Sequence, residues 1–150
     1  MTGLWVALAT LALGAAIGVI RLHTDGRVGD RVGDRDPGPL LGPGELGAEL
    51  GERATLVQFS TAFCQPCRAT RRVLADVSAL VPGVAHVEID AESRLDLVRR
   101  LDVMRTPTVL VLDARGAVVR RASGQPTKAA VLHSLAQVVS QDSSHKPDDM

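Results

Sequence analysis

The stretch Ala54-Thr55-Leu56-Val57-Gln58-Phe59-Ser60-Thr61-Ala62-Phe63-Cys64-Gln65-Pro66-Cys67 decides the reading of this chain. Residues Ala54 to Ser60 read as a strand that runs directly into Phe63-Cys64-Gln65-Pro66-Cys67. After the second cysteine, Val73, Leu74, Val77 and Leu80 recur at helical spacing until Pro82-Gly83 ends the segment. A proline within the first helical turn has no donor to lose and presets φ, so Pro66 suits a helix start. A Cys-x-x-Cys at this junction puts its first sulfur over free backbone N–H groups and the positive end of the helix dipole, which favours thiolate over thiol. Cys64 is therefore the expected nucleophile. Cys67, one turn further in, is less exposed and able to reach back and resolve a mixed disulfide, so the pair is expected to cycle between dithiol and disulfide.

Working outward, a short helix is expected near Glu45 to Leu50, ahead of the strand. Beyond the motif, Val84 to Ile89 reads as a strand, residues 92 to 101 as a helix, and Thr108 to Leu112 as a continuous apolar strand. Ala114-Arg115-Gly116 is a turn, from which Ala117 to Ala122 pairs back antiparallel. Pro126 opens a last helix with Ala130, Val131, Leu135, Val138 and Val139 inward. Residues 141 to 150 read as a disordered polar tail. Strand, helix, strand, helix, hairpin and closing helix make residues 45 to 140 an α/β domain, a mixed sheet with helices on both faces.

The N-terminal region has a different character. From Leu4 to Ile20 every residue is apolar or small apart from Thr10, and such a helix rises about 26 Å against a hydrocarbon core of roughly 30 Å. A cleaved signal peptide is the main alternative, but Met1, Thr2 and Gly3 supply no basic n-region and no A-x-A site follows. A buried core helix fits less well, because the segment has no polar face. The reading is a single retained transmembrane anchor over residues 4 to 20, with Gly14 and Gly18 spaced for a weak helix dimer. Residues 21 to 44 hold a tandem Val-Gly-Asp-Arg repeat, then Asp36-Pro37-Gly38-Pro39 and Gly42-Pro43-Gly44, the composition of a flexible linker. Arg21, Arg27, Arg31 and Arg35 follow the span and none precedes it, so the positive-inside rule puts the C-terminal domain on the cytoplasmic side of the cell membrane. An extracytoplasmic domain is the alternative.

Composition narrows the function classes. The 150 residues carry 17 basic and 17 acidic side chains and 2% aromatics, so neither a one-signed field nor stacking platforms favour nucleic acid. Two cysteines in a chain this long are not a disulfide scaffold and must be explained as a pair.

Leu56-Val57-Gln58-Phe59 leading to Cys64-Gln-Pro-Cys67, then Val87-Glu88-Ile89-Asp90, Arg105-Thr106-Pro107-Thr108, and Gly124 before the last helix together resemble the thioredoxin family. The likeness extends over about Glu45 to Val139. It implies a thiol-disulfide oxidoreductase that works through the Cys64-Cys67 disulfide without a cofactor, with protein disulfide substrates and an upstream thiol reductant as partners. It also implies that Pro107 is cis and lies against the sulfurs, and that the Thr106 backbone pairs with an extended substrate segment beside Phe63. Three positions depart from the family. Phe63 stands where the best-known members have tryptophan, and the buried acid of the strand before the motif aligns with Gln58. The lysine partner of that acid aligns with His86. The usual route for deprotonating Cys67 is thereby lost, and His86 is a candidate replacement base; a histidine near a sheet edge is its bland alternative. Arg68 and Arg105 are candidates for lowering the Cys64 pKa, whereas a solvated helix face accounts for Arg71 and Arg72.

Two other functions compete. The thiolate pair is a potential half-site for Zn(II) or Cu(I), needing His86, His133 or a carboxylate alongside, although the family order places neither histidine there. A tethered adaptor that uses the sheet edge near Thr106 for binding is the non-catalytic reading.

Overall fold

The computed structural model describes residues 2–24, 30–31 and 38–144. In chain order the elements are α1 (Thr2–Thr24), β1 (Asp30–Arg31), α2 (Pro43–Leu46), β2 (Ala54–Ser60), α3 (Gln65–Leu80), β3 (Val84–Asp90), α4 (Leu95–Arg100), β4 (Thr108–Asp113), β5 (Val118–Ser123) and α5 (Lys128–Ser144). The expected strands and the helix after the motif are present, with shorter helices before β2 and after β3. Two segments differ from their compositional reading. Asp30–Arg31, inside the expected linker, forms a strand on β5, and α5 continues through Ser144 into the expected tail; residues 145–150 lie outside the described residues.

The sheet runs β1-β5-β4-β2-β3. β2 and β3 are parallel, so the chain between them must cross over the sheet, and α3 is that crossover. β4 is antiparallel to β2 and turns back through residues 114–117 into β5. Gly116 occupies that turn at φ 89°, and an added Cβ would lie 2.4 Å from Leu41 O, so only glycine fits.

Every residue of β2 is buried, as expected of a strand covered on both faces. Val57 and Phe59 point to one side, into a core with Leu41, Leu97, Leu101, Leu110 and Leu112. Leu56 points to the other, into a core with Leu74 and Val77 of α3, Val109 and Val111 of β4, and Val131 and Leu135 of α5. Gln58 shares the second face, and this period-2 alternation aims its amide at the start of α3. Among the described residues one helix, Thr2–His23, is long and apolar enough to cross a membrane, and none of it is buried against the protein.

Candidate active site

β2 ends at Ser60, and residues 61–64 carry the chain over the end of the sheet into α3. Cys64 is the N-cap of α3, with extended backbone (φ −94°, ψ 100°). Its Sγ accepts a hydrogen bond from Cys67 N–H at 3.2 Å, the contact a capping side chain makes with the third helical residue. A helix-start donor therefore already points at the sulfur where negative charge would develop. Cys64 and Cys67 are joined in a disulfide, with S–S 2.02 Å and Cα–Cα 5.2 Å, within the ordinary range. Burial separates the two: Cys64 is part-exposed, whereas Cys67 is 1% exposed. Pro66 sits in the first turn of α3, as the missing N–H permits.

A second loop closes on this one. The Thr106-Pro107 peptide bond is cis, and Pro107 is buried. The Thr106 and Thr61 hydroxyls meet at 3.2 Å, tying the proline loop to the β2–α3 connection. Pro107 O accepts from Gly124 N–H at 2.8 Å, which anchors the loop to the end of β5. Phe63 stands in solvent with 98% of its surface exposed, and Met104 is exposed as well.

Behind Cys67 lies a polar cluster in an otherwise apolar core. Gln58 is fully buried, and its Nε2 donates to Cys67 O at 2.8 Å and to Ser60 Oγ at 2.9 Å. Both amide protons are thus used, so Oε1 is left as acceptor and the Nε2 of His86, 3.3 Å away, carries the proton toward it. At this contact the imidazole donates and orients the amide. Burial holds the His86 pKa below its ordinary value; Glu88 opposes that shift and Arg71 adds to it. Glu88 itself is held below the ordinary carboxylate value, first by Arg71 and also by Ser60, against a burial penalty. The Arg71 guanidinium grips it in bidentate fashion, at 2.6 and 2.7 Å.

The structure thus brings Cys64, Cys67, Gln58 and His86 into one connected set and joins Thr106 to it through Thr61. The candidate cations do otherwise: Arg68 is exposed on α3, and the Arg105 guanidinium donates to Ser123 O at 3.1 Å. His133, also exposed, meets Gln137 on α5. Ser60, Thr61 and Glu88 were not singled out from sequence, yet with Ala62, Arg71 and Asp90 they line an open groove beside the motif. Their signal was present in the periodicity. Ser60 is two residues from Gln58 on the same face, and Glu88 is opposite Gln58 in the parallel register. Among the described residues, no group of three or more His, Cys, Asp or Glu side chains is arranged to hold a metal.

The thioredoxin family model matches residues 47–137. The chain belongs to the thioredoxin family. It is 30% identical over 90 residues to thioredoxin of Mycolicibacterium smegmatis, covering 58% of this chain and 80% of that protein. It is 34% identical over 65 residues to thioredoxin H5 of Oryza sativa subsp. japonica, covering 43% of this chain and 47% of that protein, about half its length. Among solved structures it resembles chloroplastic thioredoxin z, with TM-score 0.57, 21% identity and coverage of 70% of this chain and 96% of that one. It also resembles a mutant thioredoxin of Halobacterium salinarum, with TM-score 0.54, 18% identity and coverage of 59% of this chain and 76% of that one. At these identities the structural likeness speaks for the fold, while the paired cysteines and family membership support thiol–disulfide oxidoreductase chemistry.

Proposed function

We propose that this protein exchanges disulfides with protein substrates through Cys64 and Cys67 while α1 tethers it to a membrane. The observation that carries the reading is the Cys64-Cys67 disulfide at the N-terminus of α3, its outer sulfur already accepting the Cys67 N–H. In the reducing direction, the Cys64 thiolate attacks one sulfur of the substrate disulfide, forming a mixed disulfide and expelling the other substrate sulfur as thiolate, which takes up a proton. Cys67, after losing its proton, attacks Cys64 Sγ. The second substrate thiolate leaves, and the enzyme pair is oxidised by two electrons. An upstream thiol reductant restores the dithiol.

Phe63 and the Thr106 backbone frame the substrate strand in this reading, with Pro107 shaping the surface beneath it. Gln58 and His86 hold Cys67 in place. Arg68 and Arg105 contribute positive field near the site. The arginines after the span support a cytoplasmic domain in a single-pass membrane protein, by the positive-inside rule.

The test is turnover of a protein disulfide, such as insulin, by the full chain in detergent with dithiothreitol. Wild type should turn over and Cys64→Ser should fall to background, while Cys67→Ser, pre-reduced and then freed of dithiothreitol, should hold its substrate as a mixed disulfide. An inactive wild type that still binds clients would replace this reading with the adaptor.

A further inference from the structure

The two outer edges of the sheet end differently. On β5, Asp30 and Arg31 add a strand, opposite Arg121 and Arg120. On the other side β3 pairs with β2 and, among the described residues, with nothing beyond it. One hydrogen bond tells which backbone groups β3 leaves over. Ala91 N–H donates to Ser60 O at 2.9 Å while Ser60 is in register with Asp90. In a parallel ladder the N–H and C=O of one residue point to the same side and successive residues alternate, so Ala85, Val87 and Ile89 face β2. His86 and Glu88 therefore turn their backbone groups outward. Val84 does too, but its N–H is taken by Val81 O at 3.3 Å. An edge of this kind is a template for another strand.

We propose that the occupant is β3 of a second copy of this chain, laid antiparallel about a two-fold axis at Val87, so that His86 of each copy stands opposite Glu88 of the other. Parity and charge select this register. A one-residue slip would set outward-facing residues against inward-facing ones, and no ladder would form. An axis at Glu88 would oppose two carboxylates directly, which destabilises a cross-strand pair. An axis at His86 would oppose two imidazoles and leave Glu88 facing Val84. With the axis at Val87, His86 and Glu88 exchange both backbone hydrogen bonds on each side of it, and each imidazole lies against a carboxylate that Arg71 holds from behind. The contact uses the same patch on both copies and closes on itself. It also joins two sheets into one while sending their β2–α3 ends in opposite directions, leaving both sulfur pairs open to clients. The membrane helix favours the same assembly. Two chains confined to one bilayer meet at raised effective concentration.

The full chain, labelled at its C-terminus with donor or acceptor dye and reconstituted in liposomes, tests this by energy transfer as lipid dilutes the protein. A dimer is expected whose midpoint for dissociation moves about tenfold toward monomer in His86→Glu, which opposes two carboxylates in both symmetric pairs. The double exchange His86→Glu with Glu88→His should bring the midpoint back. Amide exchange at His86 and Glu88 should be slow in the dimer and accelerate on dilution, with Val87 unchanged. The proposal is overturned by a monomer at every density, by a double exchange that does not restore association, or by a dimer that responds to Gly14→Ile alone. Disulfide turnover by the monomer would leave the proposed activity standing whichever way this falls.

Discussion

The outer and inner halves of the dithiol site are made of opposite materials. Outside, Cys64 caps a helix, Phe63 projects into water, and the Arg105 guanidinium donates to the Ser123 carbonyl. Inside, Cys67 is sealed, and its carbonyl is held by an amide whose every hydrogen-bonding group is engaged by Ser60, His86 or Cys67 itself. The outer half owes its chemistry to a helix terminus, which any sequence able to start a helix there would supply. The inner half depends on a few buried or half-buried side chains that are costly to leave unpaired. Mutations other than at the sulfurs themselves should therefore separate the two: losses outside fall on turnover, and losses inside fall on stability.

The sharpest test of that contrast is Gln58→Leu. It strips the Cys67 carbonyl and His86 of their partner, and chemical denaturation should show a loss of about 2–3 kcal/mol, the penalty for buried polar groups left unsatisfied. A loss under about 0.5 kcal/mol would mean the cluster is not structural. Next comes pH. His86 has a folded pKa below its ordinary 6.5, so the unfolded chain binds the proton first as pH falls. Its contribution is intact above pH 6.5 and is lost as the pH drops from there toward the folded value. Glu88, depressed from 4.5, adds a second loss at lower pH, below its own ordinary value. Thermal melts of His86→Leu should be flatter than wild type just below pH 6.5 while keeping the acid limb; an unchanged slope would show the imidazole to be solvated. Arg71→Ala removes a half-exposed ion pair and should shift the melting temperature less than Gln58→Leu, with the difference shrinking in high salt. Smallest of all in stability is Phe63→Ala. At 98% exposure it should leave unfolding within about 0.5 kcal/mol of wild type while raising KM for a protein disulfide relative to a small one. An equal KM effect on both substrates would remove Phe63 from the docking surface.

Much of the outer half was legible in the chain because its determinants are local. The Cys-Gln-Pro-Cys spacing, Pro66 in the first turn and the 3.6-residue recurrence of apolar residues in α3 each act within a few positions. The inner half was legible only as a departure, an amide at Gln58 where the family carries an acid. Its partners come from register. Residue 58 lies beside residue 88 only because β2 and β3 are parallel and in that alignment, and Arg71 meets Glu88 only because α3 crosses back over the pair. The Asp30–Arg31 strand on β5 was hidden for a related reason: a two-residue pairing in a Gly-Asp-rich segment leaves no periodicity to read.

The sequence by itself determined that two cysteines sit at a strand-to-helix junction in an α/β domain behind an apolar N-terminal helix, since those features rest on spacing and hydrophobic period. Only the tertiary structure decided that Thr61 meets Thr106, that Gln58 donates to the Cys67 carbonyl, and that β3 is left as an open edge. Each of these joins residues far apart in the chain, or depends on which side of a strand a backbone group faces, and those relations do not exist until the sheet has assembled.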